Sequence, residues 1–306
     1  MSELVPESRP TVSVVMIVLN GAPWIGQQLD ALAAQRDAPE AWEVVVADNG
    51  STDGTQGIVS ERARSFPVPL RLVDASGTPG ASHARNVGAS AARADLLAFC
   101  DCDDAVGESW VREATLALAE HVCVGGRIRA MTSPQDPGSD VLNPSGLHGR
   151  GVQSCNFGVR REVFFSVGGF DESLPPYGCE DSEFSLRVLA HGHEIASAPR
   201  MELYFRQTVG FRRTLAKVYA SGVAETLIWH RHPQNFGRPL TLGAVLVDVV
   251  RWPLATLRST ASGGVTIKDV ARSAITAWAH VVGYLTWVRT GRAGRPRLVL
   301  EPYDVD

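Results

Sequence analysis

Asp101 and Asp103, one residue apart directly behind the apolar run Leu96 to Cys100, are the pair whose types and spacing speak first of chemistry. Two carboxylates at one strand end can hold a hard divalent cation, Mg²⁺ or Mn²⁺, whose remaining ligands are phosphate oxygens. An acidic turn that caps the next helix has the same pattern, so the pair takes its meaning from its surroundings. Glu180-Asp181 opens a helical stretch after the turn-forming Pro175-Pro176. The helix dipole favours acids there, and a carboxylate at a cleft edge can also act as general base toward a hydroxyl nucleophile. Asp48 heads a third acidic turn, Asp48-Asn49-Gly50-Ser51-Thr52-Asp53-Gly54-Thr55.

The elements that must carry these residues follow from hydrophobic periodicity. Val12 to Leu19 reads as a strand buried on both faces, and further strands are expected at Trp42 to Ala47, Leu70 to Val73 and Leu96 to Cys100. Helical patterns fall between and after them, at Pro23 to Ala34, Thr55 to Arg64, Ser82 to Ala92 and Ser109 to Glu120. Alternation of this kind predicts an α/β fold with a parallel sheet covered by helices. Ligands of such sheets sit beyond the carboxyl ends of the strands, where the first and third acidic turns fall. No dinucleotide-binding glycine pattern follows the first strand, and no Gly-Lys-Ser/Thr phosphate loop occurs, which argues against nicotinamide dehydrogenases and ordinary ATPases.

Beyond these strands, Thr132 to Gly151 is polar and rich in Gly, Pro, Ser and Asp, a long surface loop whose Gly-rich part around Asn143 to Gly151 could close over substrate as a lid. Arg160 to Val167 and Glu180 to His191 read as helices, with a short strand at Glu194 to Ala198. After Thr208 the strand pattern stops, and helices are expected near Phe211 to His230, Leu240 to Arg258 and Ile267 to Arg289. The expected division is therefore 1–208 and 209–306.

With 306 residues, 44% hydrophobic and 20% charged, the chain has ample material for a core, which excludes disordered and collagen-like classes. Its formal charge of −4 and scattered arginines offer no patch for nucleic acid. Five cysteines without pairing spacing, and a start lacking a basic-then-apolar leader, point to a reduced cytoplasmic setting. No uninterrupted 18-residue apolar run predicts a membrane span, while peripheral contact at the inner face of the membrane stays open.

Read in order, Val12-Ser13-Val14-Val15-Met16-Ile17-Val18-Leu19-Asn20, Val46-Ala47-Asp48-Asn49-Gly50-Ser51-Thr52-Asp53-Gly54-Thr55, Ala84-Arg85-Asn86-Val87-Gly88 and Leu97-Ala98-Phe99-Cys100-Asp101-Cys102-Asp103-Asp104 resemble the family 2 glycosyltransferases. Gly168-Gly169-Phe170-Asp171-Glu172 followed by Glu180-Asp181 is similar to a later part of the same pattern. The resemblance covers residues 10 to 208. It implies a GT-A fold, a Rossmann-like and mainly parallel sheet with helices on both faces, here followed by a helical C-terminal extension. It further implies inverting transfer of a sugar from a nucleotide-diphosphate sugar, UDP favoured, with Mg²⁺ or Mn²⁺ on the diphosphate.

Carried over position by position, Asp48 would bind the base, with Val18 and Asn20 at the end of the first strand helping to cradle base and ribose. Arg85 and Asn86 would lie by the nucleotide and its diphosphate. Asp101 would contact ribose or metal, Asp103 would ligate the metal, and Cys102 between them joins the donor site. Asn156 would face donor or acceptor, Asp181 would be the base on the acceptor hydroxyl, and Glu180 would orient sugar or acceptor. Ile17, Val18 and Leu19 replace the family's proline, threonine and tyrosine, and Leu203-Tyr204-Phe205-Arg206-Gln207 lacks the histidine that completes the metal shell in many relatives.

The acceptor could be a glycan, a lipid-linked saccharide, a natural product or a peptide, and a homodimer is compatible with the sequence. The bases beside aromatics in Phe211-Arg212-Arg213 and Trp229-His230-Arg231-His232 suit either a membrane-surface platform or helix packing. His83, two residues before Arg85, is the histidine best placed for a functional part. Two other readings remain. A sugar nucleotidyltransferase would want a Gly-rich basic loop where Asn20-Gly21-Ala22-Pro23 stands, and a non-catalytic nucleotide-sugar or glycan-binding protein would not need both Asp103 and Asp181.

Overall fold

The computed structural model describes residues 9–131, 141–142, 151–260 and 266–305. They cluster into two compact units: one holds the residues through Asp171, Asp181–Gln207 and those from Leu298 onward, the other Glu172–Glu180 and Thr208–Arg297. The expected boundary at 208 is thus corrected in two ways. Residues 172–180 belong with the helices. The chain also returns to the sheet unit at its end, where Val299 N–H donates to the Gly168 carbonyl (2.8 Å) and Tyr303 N–H to Ser90 Oγ (2.9 Å).

Strands β1 (Val12–Val18), β2 (Trp42–Asp48), β3 (Leu70–Asp74) and β4 (Leu96–Asp101) are parallel and ordered β3-β2-β1-β4. Their β-branched and apolar residues are buried on both faces, as a central parallel sheet requires. The helices between them, α1 (Ile25–Ala33), α2 (Thr55–Ala63) and α3 (Ala81–Ala91), are expected from the sequence to within a few residues. Ile25, Leu29 and Leu32 form the buried stripe of α1 at helical spacing. Gly88 lets α3 lie close on the sheet, because a Cβ there would stand 2.5 Å from Val15 Cγ1.

Past β4 the sheet turns mixed. Following β5 (Ala105–Val106), α4 (Trp110–Glu120) and β6 (Cys123–Met131), which carries the short partner β7 (Val141–Leu142), the chain forms β8 (Asn156–Arg160), antiparallel to both β4 and β6. After α5 (Arg161–Ser166) and α6 (Glu180–Ala190), β9 (Ala196–Arg206) runs parallel to β6 and antiparallel to β5. Sequence periodicity misses β6 and β8 and gives only the start of β9. Gly125-Gly126 and the charged Arg127 and Arg129 break the apolar alternation of β6, and the two arginines bond Glu202 of β9 (3.3 and 3.0 Å). The lid expected within 132–151 falls almost wholly outside the described residues.

In the other unit, α7 (Phe211–Arg231), α8 (Leu242–Thr260) and α9 (Ile267–Gly283) pack around Trp229, Val245 and Val281, and a π-helical turn, Tyr284–Arg289, continues α9. Small residues bring α7 and α9 together, since a Cβ on Gly222 would stand 2.8 Å from that of Ala279. Thr266 and Asp269 form a capping box at the start of α9.

Candidate functional site

The sheet brings acids of the first strands to its carboxyl edge. Val18 pairs with Asp48 and Asp48 with Asp74, while Asp101 pairs with Ile17, so Asp48 and Asp74 share one register row and Asp101 stands one position before it. The β1 and β2 loops are stitched to each other: Asn20, in the left-handed region at φ 54°, accepts from Thr52 N–H (2.9 Å), and its own N–H donates to Ser51 Oγ (2.8 Å). The Val18 carbonyl accepts from Asn49 N–H (2.8 Å). Gly21 is required for the close approach, as a Cβ would meet Val18 Cγ2 at 2.6 Å and Cys102 Sγ at 3.0 Å.

Asp48 is buried, with its carboxylate accepting from Ser51 N–H (3.1 Å) and from the Gln56 side-chain amide. It lines a cleft of about 370 Å³ with Gln56, Asp74 and Ser76 at the β2 and β3 ends. The Ser76 hydroxyl and N–H hold the Asp74 carboxyl below its ordinary range. This keeps a negative charge at the cleft wall at neutral pH.

Asp101, Asp103 and Asp104 bring carboxylate oxygens within 4.8 Å of one another at the end of β4. The buried Arg85 donates from Nη2 to Asp101 Oδ1 (2.8 Å), with its guanidinium 5.5 Å from the Phe170 ring centre. Asp104 is 1% exposed. Its Oδ1 accepts from Arg206 N–H (2.8 Å), and its Oδ2, buried, has no hydrogen-bond partner. Burial, then the charges of Asp103 and Asp101, push its carboxyl well above the ordinary range, against the opposing Arg206. Arg206 secures the turn from β9. Its Nε donates to the Asp103 carbonyl (2.8 Å), its Nη2 bonds Gln27 Oε1, and its guanidinium lies 4.4 Å from the centre of the Trp24 ring.

A buried carboxylate oxygen without a partner carries a desolvation cost that a bound cation would remove. The three carboxylates therefore fit a hard divalent metal, with Mg²⁺ or Mn²⁺ matching their all-oxygen character.

Asp181 stands in the first turn of α6 behind the left-handed Gly178 (φ 113°) and Cys179 (φ 64°), and its Oδ1 accepts from Ser182 N–H (2.7 Å). The buried Cys155 thiol shows which charges share its neighbourhood. Burial raises its pKa most, Asp104 and Asp101 raise it further, Arg85 opposes, and Asp181 adds to the rise. Glu180, the chain neighbour of Asp181, clusters with the helical unit. Beneath this region the buried pair Glu183 and Arg187 (2.7 Å) clamps the 167–169 loop, Arg187 Nη2 bonding the Gly169 carbonyl (2.7 Å).

A family model described as glycosyl transferase family 2 matches residues 13–169, and a second, described as N-terminal domain of galactosyltransferase, matches 143–209. The chain belongs to glycosyl transferase family 2. Among its relatives, a validoxylamine A glucosyltransferase of Streptomyces hygroscopicus subsp. limoneus is 29% identical over 221 residues, covering 60% of this chain and 49% of that protein. The chain spans about half the length of that relative. The mannosyltransferase PcManGT from Pyrobaculum calidifontis, solved in complex with GDP-Man and Mn²⁺, matches with TM-score 0.56 at 19% identity, covering 94% of this chain and 76% of that one. S. aureus TarS 1-349 in complex with UDP-GlcNAc matches with TM-score 0.53 at 16% identity, covering 92% of each chain. This family 2 chain has the GT-A-like fold expected of it, with a helical C-terminal region.

Within this family 2 chain, Asp101, Asp103 and Arg85 come together, while Val18, Asn20 and Asp48 meet one strand away. Two expected donor residues are corrected. Asn86 is fully buried, its amide exchanging hydrogen bonds with the Phe170 backbone (2.8 and 2.9 Å), so it fixes the loop rather than facing a diphosphate. Asn156 is equally buried, accepting from Trp110 Nε1 (2.7 Å) and donating to the Arg127 carbonyl (2.8 Å), which commits it to the core. Burial raises the Cys102 thiol far above its ordinary value, so it stays protonated beside Gly21. His83 lies 5.7 Å from the Tyr303 ring, against the returning C-terminal segment. Sequence reasoning missed Asp104 and Arg206 as site residues. The adjacency of Asp103 and Asp104 signalled the first, and nothing local signalled the second.

Proposed function

We propose that the protein transfers a sugar from a nucleoside-diphosphate sugar to an acceptor hydroxyl, with inversion at the anomeric carbon. The observation that carries this reading is the partnerless buried oxygen of Asp104 within a three-carboxylate turn at the strand ends of a family 2 chain. The cleft beside Asp48 opens at the carboxyl ends of β2 and β3, the same edge of the sheet from which the acidic turn leaves β4.

In this reading Asp48 accepts from the base, the β1 loop around Val18 and Asn20 bounds the ribose, and Asp101, Asp103 and Asp104 hold a divalent cation. The chemistry such an ion supplies when bound is neutralisation of charge on the departing diphosphate, an interaction that strengthens toward the transition state. Arg85 holds Asp101 in place, and Arg206 fixes the Asp103 and Asp104 backbone. Asp181 takes the proton of the acceptor hydroxyl as it attacks the face of the sugar opposite the leaving group, which inverts the centre. UDP is the favoured donor nucleotide, and Glu180 is assigned to orient sugar or acceptor.

Thermal unfolding with UDP, GDP and dTDP, each with and without Mn²⁺, tests donor and metal together through ligand linkage. UDP with Mn²⁺ should stabilise more than either alone, and a panel of nucleotide sugars should release nucleoside diphosphate. No shift with any nucleotide would overturn the assignment. Pyrophosphate release from a sugar phosphate and NTP would replace it with nucleotidyl transfer.

A further inference from the structure

The whole chain is net −4, yet the helical unit, 172–180 with 208–297, contains 13 Lys and Arg against five Asp and Glu. The three acids within 208–297 are engaged inside the unit. Glu225 meets His280 Nε2 (3.0 Å), Asp248 is fully buried against Arg238, and Asp269 bonds Arg272 (3.0 Å) and Thr266. The surface of the helical unit is accordingly cationic, and whole-chain charge conceals it.

On α8 this charge adjoins an apolar stripe. Leu246, Val247, Val250, Leu254 and Leu257 stand 46% to 62% exposed and, by their spacing, fall on one face of the helix. Arg251 and Arg258, exposed and seven residues apart, line one edge of it. The helix carries one acid, Asp248, on its opposite, buried side. Large apolar side chains in a continuous exposed row mark a surface built to be covered.

We propose that α8 docks the helical unit on an anionic lipid bilayer, lying in the interface with its apolar stripe toward the acyl chains and its arginines at the headgroups. Among the described residues no helix is long and apolar enough to cross a membrane, so the contact lies on the surface. Charge selects this occupant over a second copy, because two strongly cationic units brought face to face repel. The apolar row selects lipid over a soluble polyanion, which would need the charges alone.

Co-sedimentation of the full chain with vesicles of phosphatidylcholine, alone or mixed with phosphatidylglycerol, tests the proposal. Binding is expected to the mixed vesicles, weakening as salt is raised. Arg251→Gln with Arg258→Gln should weaken it by about thirtyfold, from ~1 kcal/mol per basic residue. Arg251→Lys with Arg258→Lys should preserve it. Leu246→Asp with Val250→Asp should abolish it while far-UV circular dichroism stays unchanged, and if that pair unfolds the arginine variants still decide. Equal binding to neutral and anionic vesicles would overturn the proposal. So would binding to heparin without vesicle binding, or a wild-type dimer that Leu246→Asp with Val250→Asp splits.

Discussion

In the helical unit Glu225, Asp248 and Asp269 each meet a partner of their own unit, whereas at the end of β4 three carboxylates crowd together and one buried oxygen of Asp104 has no hydrogen-bond partner. One set of acids stabilises its surroundings. The other is held in place at a cost, which folding alone does not explain. Under the proposed function, the difference separates carboxylates spent on structure from carboxylates that would hold a ligand, and substitutions in the two sets should have opposite consequences.

The largest effect is expected from Asp181→Asn, which should lower kcat by about 10² to 10⁴, the usual loss for a general base, while leaving donor-induced thermal shifts intact. Asp104→Asn sharpens the comparison further, keeping an oxygen for Arg206 N–H and removing the buried charge. Without metal, the contribution of Asp104 to wild-type stability should be greatest below the ordinary carboxyl value of 3.8 and fall as pH rises toward the raised value of folded Asp104. The variant's stability should be flatter across that window and no lower at neutral pH, yet Mn²⁺ should stabilise it less. A variant less stable than wild type in metal-free buffer would place Asp104 among the structural acids.

Asp248→Ala should instead cost about 2–3 kcal/mol in chemical denaturation with little change in donor binding, below the loss for a fully buried pair because Arg238 keeps some exposure. The smallest change is expected at Asp269. Hydrogen bonds from Thr266 hold its carboxyl below the ordinary range, so its contribution is present above 3.8 and fades as pH falls through the folded value. Asp269→Asn should remove that acid-side dependence, visible as early loss of helical circular dichroism confined to low pH.

Much of this was legible in the chain. The alternation of apolar runs and helical segments gave the parallel half of the sheet, because strands buried on both faces write their burial directly into sequence. Asp101, Asp103 and Arg85 were legible for a related reason: a strand end fixes where its next residues stand. The antiparallel half was not, since β6 and β9 trade apolar alternation for the Arg127, Arg129 and Glu202 cluster between neighbouring strands. Asn86 and Asn156 show the limit of reading a side chain from its place in a motif. Their amides are consumed by Phe170 and Trp110, partners far away in the chain. Asp104 gains its character from a strand about a hundred residues later, and the cationic helical unit was hidden by averaging its charge with the acidic remainder.

The return of the chain to the sheet unit also bears on how the molecule is made. Gly168, left-handed at φ 90°, waits for the Val299 N–H and lies under Leu298, and Ser90 waits for Tyr303. The sheet unit therefore lacks these contacts when its last strand leaves the ribosome. The ~90 residues that follow take on the order of 5–20 s to synthesise. During that interval the buried phenylalanines behind Gly168 lack the cover of Val299 and Tyr303, so a nascent chain stalled after β9 exposes apolar surface that the finished chain buries.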